Sequence, residues 1–172
     1  PADWGAEDCV TGDWHSAAST GWSAPSELER FLKVGAPPLY VGFGSMPALN
    51  SGEITDMVLS ALEQTGQRAV LSVGWGGIEA RENTEKFHFI RQAPHDWLFP
   101  RCSAVVHHGG AGTTHSGLRH GKPSFICPYF GDQPFWGRRV AAIGAGPPPR
   151  PIRSLTVGSL MHALKDIENA DY

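Results

Sequence analysis

The stretch SAVVHHGGAGTTHSGLRHG, Ser103 to Gly121, decides the fold. It opens on a short apolar run ending at His107 and His108, of a length that suits a buried strand. It then turns through Gly109, Gly110 and Gly112 and continues as TTHSGLRHG, which reads as a helix stopped at Gly121. The glycines let backbone approach a ligand closely and tolerate positive φ. The free N–H groups and dipole of the following helix favour an anion. One exposed helix end contributes only about 0.3–1 kcal/mol, so a diphosphate site needs several amides and a further donor such as the imidazole of His108. Read without that donor, the same residues are a tight strand-to-helix turn.

Working outward, the same alternation recurs. PLYVGFG (Pro38–Gly44), RAVLSVGW, KFHFIRQAP, SAVVHH and PSFICP read as five strands. SELERFLKVG reads as a short helix with a capping box, Ser26 and Glu29. In SGEITDMVLSALEQTG, Ile54, Met57, Val58, Ala61 and Leu62 form one apolar helix face. HDWLFPRC reads as one helical turn, DQPFWGRRVAAIG as a helix with Asp132 at its start, and SLTVGSLMHALKDIEN as a closing helix. Continuous apolar strands alternating with helices predict an α/β, Rossmann-like parallel sheet covered by helices on both faces. Residues 1–25 read as a lead-in or linker segment anchored by Trp4, Trp14 and Trp22, and residues 26–172 as the domain proper.

The 172 residues are 41% hydrophobic, with no apolar run long enough to span a bilayer. A net charge of −3 offers no field for nucleic acid. Charged residues at 18% are few, which suggests that part of the surface faces another domain. The three cysteines are scattered and odd in number, which favours a reducing, cytoplasmic setting over a disulfide framework. PADWGAEDCV has no secretory leader pattern, and the missing initiator methionine suggests a fragment. No amphipathic basic helix stands out as one that lies on a membrane.

Rival chemistries fit poorly. His107 and His108 are adjacent at a strand end and point to opposite faces. His115 and His120 lack an H-E-x-x-H pattern, so no metal is expected. Ser116 lies in H-S-G rather than a nucleophile elbow. GFGSMP has Pro47 where a dinucleotide fingerprint has its third glycine, and no Walker A sequence occurs. After GFG, Ser45 either donates to a phosphate or caps its turn. Asp132 and Gln133 suit paired sugar hydroxyls, although Asp132 also reads as an N-cap. Trp75 is either a flat wall for a base or a lone surface aromatic.

YVGFGSM, the long run from Ala93 to Val140, and IGAGPPP together resemble the C-terminal, donor-binding half of a GT-B-fold glycosyltransferase. Within that superfamily they are most similar to the sterol 3-beta-glucosyltransferases and their bacterial relatives. Two positions depart from the plant-type signature of the wider superfamily: Gln92 stands where a uracil-stacking tryptophan begins it, and Ser116 where a ribose-binding glutamate ends it. The resemblance implies an inverting, metal-independent transfer of glucose from UDP-glucose to a hydroxyl of a sterol or similar lipophilic acceptor. His108, Gly44, Ser45 and the N–H groups of Gly110, Ala111, Gly112, Thr113 and Thr114 would hold the diphosphate. Ala93, Pro94, His95 and Trp75 would surround the base, and Asp132 and Gln133 would bind the transferred sugar. The general base would lie in an N-terminal acceptor-binding domain of the same polypeptide, so no catalytic residue is expected here. The chain alone would bind donor without transferring it, with a peripheral membrane contact in keeping with a lipophilic acceptor. A non-catalytic nucleotide-sugar module and transfer to an antibiotic-type aglycone are the alternatives.

Overall fold

The computed structural model describes residues 4–14, 21–44, 50–74, 77–169 and 172. Ser45 and Trp75 lie outside the described residues. Five short strands, β1 (Leu39–Gly42), β2 (Ala69–Ser72), β3 (Phe87–Ile90), β4 (Val105–His107) and β5 (Ser124–Ile126), form one sheet in the order β3-β2-β1-β4-β5. Every pairing is parallel, with Tyr40 opposite both Val70 and Val105. The expectation of a parallel α/β sheet is borne out. The chain runs outward from β1 to β3 and then returns to β4 on the other side of β1. The β1/β4 seam is therefore the switch point at which such sheets leave a crevice.

The helices are α1 (Ser26–Lys33), α2 (Ser51–Thr65), α3 (His95–Leu98), α4 (Ala111–Arg119), α5 (Gln133–Ala142) and α6 (Val157–Asn169). Alternation along each strand sorts the core into two layers. Leu39, Val41, Leu71 and Val106 pack beneath Val58, Ala61 and Leu62 of α2 and Leu160 and Leu164 of α6. Tyr40, Val70 and Val105 meet Leu28 and Phe31 of α1 and Leu98 and Phe99 on the other face. Each such buried aliphatic side chain stabilises the fold by about 1.5–3 kcal/mol. The apolar face expected on α2 is the one that packs.

Three local expectations are corrected. Ser26 is the first residue of α1 rather than its cap; Pro25 takes the N-cap place and no side chain caps the helix. The capping box fails because Pro25, at φ −57 and ψ 137, already supplies the non-helical backbone that a cap position needs. Trp4 and Trp14 are exposed, Trp14 donating only to Thr11 of its own segment among the described residues, whereas Trp22 packs edge-on against Trp97 at 4.9 Å. What ties the lead-in segment down is a charge: Asp13 accepts from the His115 ring at 3.1 Å and from Arg119 at 2.7 Å. Finally, α4 begins at Ala111, two residues earlier than TTHSGLRHG suggested.

Candidate functional site

Gly44 and His108, just past the ends of β1 and β4, meet at the switch point. The His108 imidazole lies between two glycines. A Cβ on Gly44 would come within 3.0 Å of its Cε1, and one on Gly110 within 2.6 Å of its Nε2. Gly44 has φ +66 and Gly109 φ +93, both in the left-handed region that glycine enters without steric cost. At Gly109 a Cβ would also collide with Ile126 and the Gln133 backbone. These glycines are required by close approach and by backbone sign together.

His107 and His108 divide as the strand geometry dictates. Their rings stand perpendicular, 6.2 Å apart. His107 is fully buried, and its Nδ1 accepts the Gly109 N–H at 3.1 Å, which pins the glycine turn. Burial, with His108 and His95 nearby, pushes its pKa down to about 3, so it is neutral. Its Nε2 has no partner among the described residues. His108 faces the cleft. Burial lowers its pKa below the ordinary value, opposed by a backbone hydrogen bond with Gly42 and by the Asp132 carboxylate. The Asp132 influence puts the expected sugar ligand within electrostatic reach of the expected diphosphate ligand.

Gly110 caps α4 in extended backbone, φ −61 and ψ 140. Its carbonyl accepts both the N–H and the hydroxyl of Thr114, at 3.0 and 2.9 Å. Thr114 is therefore a buried brace of the first turn and not an anion donor, which corrects its expected role. The amides of Ala111, Gly112 and Thr113 are the orphan donors that every helix start leaves. A Cβ on Gly112 would meet nothing within 4 Å, so the approach to that end is open.

A cleft of about 190 Å³ opens beside this helix end, lined by Gly44, Ala93, His95, His108 and Thr113 among others. It also takes in Gln92, already singled out in the sequence, and Tyr40 and Ser72, which sequence reasoning did not assign to the site; the inward position of Tyr40 on an alternating strand is the signal that could have found it. His95 is stacked on Phe99 with centroids 4.3 Å apart, and burial keeps its pKa below the ordinary value despite Asp96. Pro94 has no N–H, and its carbonyl already accepts from Trp97 and Leu98. Of the expected base-reading backbone groups, those of Ala93 are the better placed.

Asp132 is exposed at the start of α5, making no side-chain cap bond, so its N-cap reading holds for the backbone only. Its Oδ2 accepts the Trp136 indole N–H at 2.8 Å. Gln133 is buried, and its Oε1 accepts the Tyr129 and Phe130 amides at 2.8 and 3.2 Å. Its acceptor end holds a turn rather than waiting for a sugar hydroxyl. Among the described residues no group of three or more His, Cys, Asp or Glu side chains is placed to hold a metal ion. No helix among them is long and apolar enough to cross a membrane.

Comparison with known proteins bears on the family and the fold. Residues 79–171 match the family described as erythromycin biosynthesis protein CIII-like, C-terminal domain. The chain is 44% identical over 170 residues to the sterol 3-beta-glucosyltransferase UGT80A2 of Arabidopsis thaliana, covering 98% of this chain and 26% of that protein. It is 38% identical over 149 residues to the sterol 3-beta-glucosyltransferase of Emericella nidulans, covering 80% of this chain and 11% of the relative. The chain thus spans about a quarter of the plant relative and less of the fungal one. Among solved structures, the glycotransferase of kitacinnamycin superposes with a TM-score of 0.67 at 20% identity, over 92% of this chain and 39% of that one. The glycosyltransferase SnogD from Streptomyces nogalater gives 0.60 at 21% identity, over 90% and 39%. These likenesses bear out the expected Rossmann-like α/β fold.

Proposed function

This chain belongs to the family of erythromycin biosynthesis protein CIII-like C-terminal domains, and we propose that it is the donor-binding half of an inverting, metal-independent glycosyltransferase that uses UDP-glucose. The observation that carries the proposal is the convergence of His108, Gly44 and the free amides of Ala111, Gly112 and Thr113 on the β1/β4 switch point. Diphosphate lies on that helix end, the base enters the cleft beside Ala93 and His95, and the sugar reaches toward Asp132.

In the reaction an acceptor hydroxyl attacks the anomeric carbon, the bond to the diphosphate oxygen breaks, and UDP leaves with the electron pair. The acceptor proton goes to a general base in the N-terminal acceptor-binding part of the longer polypeptide. The helix amides, with the imidazole of His108 beside them, stabilise the charge that builds on the leaving diphosphate. Donors already aimed at that charge need no reorganisation during the step. The acceptor is a sterol or a similar lipophilic alcohol, a choice supported by 44% identity across nearly the whole chain to a sterol glucosyltransferase. The glycotransferase of kitacinnamycin, at 20% identity, is less than half as similar. Free Cys9, Cys102 and Cys127 suit a cytoplasmic location.

Calorimetric titration of UDP-glucose in chelator tests the reading. Saturable binding that weakens with His108→Ala supports it; binding that requires a divalent ion, or that ignores His108→Ala, refutes it.

A further inference from the structure

Asp132 owes its orientation to a residue outside the expected site. Trp136 lies one helical turn further along α5, and its indole N–H donates to Asp132 Oδ2 at 2.8 Å. This i, i+4 pair brings the two side chains together on one face. The other carboxylate oxygen, Oδ1, has no partner among the described residues. The indole is itself held in place: the His115 ring meets it edge-to-face at 4.7 Å and 82°, and Phe135 meets it at 5.1 Å. His115 in turn donates through Nδ1 to Asp13 at 3.1 Å, and Asp13 also accepts from Arg119. A continuous chain of contacts thus runs from the segment before α1, through α4, to the exposed Asp132 carboxylate.

We propose that Trp136 is a positioning residue for the donor sugar, holding Asp132 by one oxygen so that the other accepts from a sugar hydroxyl. The inference rests on the donor reading of the site. A free aspartate samples several rotamers, and each ordered side chain costs conformational entropy on binding. The indole hydrogen bond removes part of that cost before the ligand arrives. A Trp→Phe change deletes the N–H while keeping an aromatic ring against His115. His115 and Asp13 act through the ring, not through the sugar.

The test compares UDP and UDP-glucose affinities of the full chain and its Trp136→Phe, Asp132→Ala and doubly substituted variants by calorimetry. The proposal predicts that Trp136→Phe weakens UDP-glucose by roughly five- to tenfold, the scale of one ordinary net hydrogen bond at an exposed site, and leaves UDP unchanged. It also predicts that the Trp136→Phe effect disappears once Asp132 is alanine, because the two act as one unit. An equal loss of UDP affinity, or an effect that persists in the Asp132→Ala background, would overturn the positioning role. If Asp132→Ala itself weakens UDP and UDP-glucose alike, Asp132 does not touch sugar, and the underlying reading fails first. A ligand-free check is the Trp136 indole N–H resonance, which Asp132→Asn must shift; an unmoved resonance contradicts the hydrogen bond itself.

Discussion

At the scale of single residues, the site works by exclusion of side chains. Gly110 has backbone angles that alanine accepts, yet an added Cβ would press on the His108 ring at 2.6 Å. Gly110→Ala therefore weakens UDP affinity by roughly tenfold or more, with a stability cost near 1 kcal/mol; titration beside urea unfolding separates the two. His107 makes a different prediction. Its folded pKa of about 3 lies below the unfolded value, so the unfolded chain takes up a proton first as pH falls. Stability from this group is full above about pH 6.5 and drains by about 1.4 kcal/mol per pH unit below it, toward pH 3. His88, His95 and His108 are shifted the same way and add to the slope. His107→Asn, whose amide oxygen can still accept from Gly109, should flatten the pH dependence of the urea midpoint by one proton's worth between pH 7 and 5. An unchanged slope would show that His107 titrates normally. The sequence placed His108 and the glycines at the site because their chemistry is local. It could not show that the Thr114 hydroxyl and the Gln133 carbonyl are already engaged, since those partners are fixed by the turn geometry around them.

At the scale of elements, glycine spacing sets how closely helices approach the sheet. Gly137 of α5 faces Pro149, where a Cβ would fall 2.5 Å away, and Ile126 of β5 at 3.3 Å. Gly137→Ala thus destabilises the fold by about 1–3 kcal/mol through overpacking, in spite of a helix-propensity gain of about 1 kcal/mol. Gly158, in the first turn of α6, offers open space: a Cβ added there would meet nothing within 4 Å. The propensity gain then stands alone, and Gly158→Ala stabilises by up to about 1 kcal/mol. Opposite signs in paired urea melts confirm the packing, and like signs contradict it. Element existence was legible from apolar runs and glycine punctuation, and all five strands fall within the expected stretches. Helix starts were less so. Pro25 overrode the Ser26 capping box, and α4 began at Ala111 because Gly110, not a threonine, supplies the capping backbone. The aromatic lead-in misled because a tryptophan anchors only when a partner surface is folded beneath it, as Trp97 is for Trp22.

At the scale of the molecule, the parallel order β3-β2-β1-β4-β5 creates one switch point, and every described residue assigned to the diphosphate comes from its two sides. The proposed donor site thus draws on residues of this chain, while the proposed general base does not. Supplied with UDP-glucose and a sterol, the chain alone should bind donor yet release no UDP above background; steady turnover in a UDP-release assay would place the base in this half. The central claim is that UDP sits on the start of α4. The most direct measurement is titration of UDP into isotope-labelled chain while following backbone amide resonances. Saturable shifts concentrated at Gly44, Gly110, Ala111, Gly112 and Thr113 are the predicted result. Shifts centred instead on the opposite end of the sheet, around Gln67, Arg68 and Ser103, where a larger cleft of about 450 Å³ lies, would contradict it.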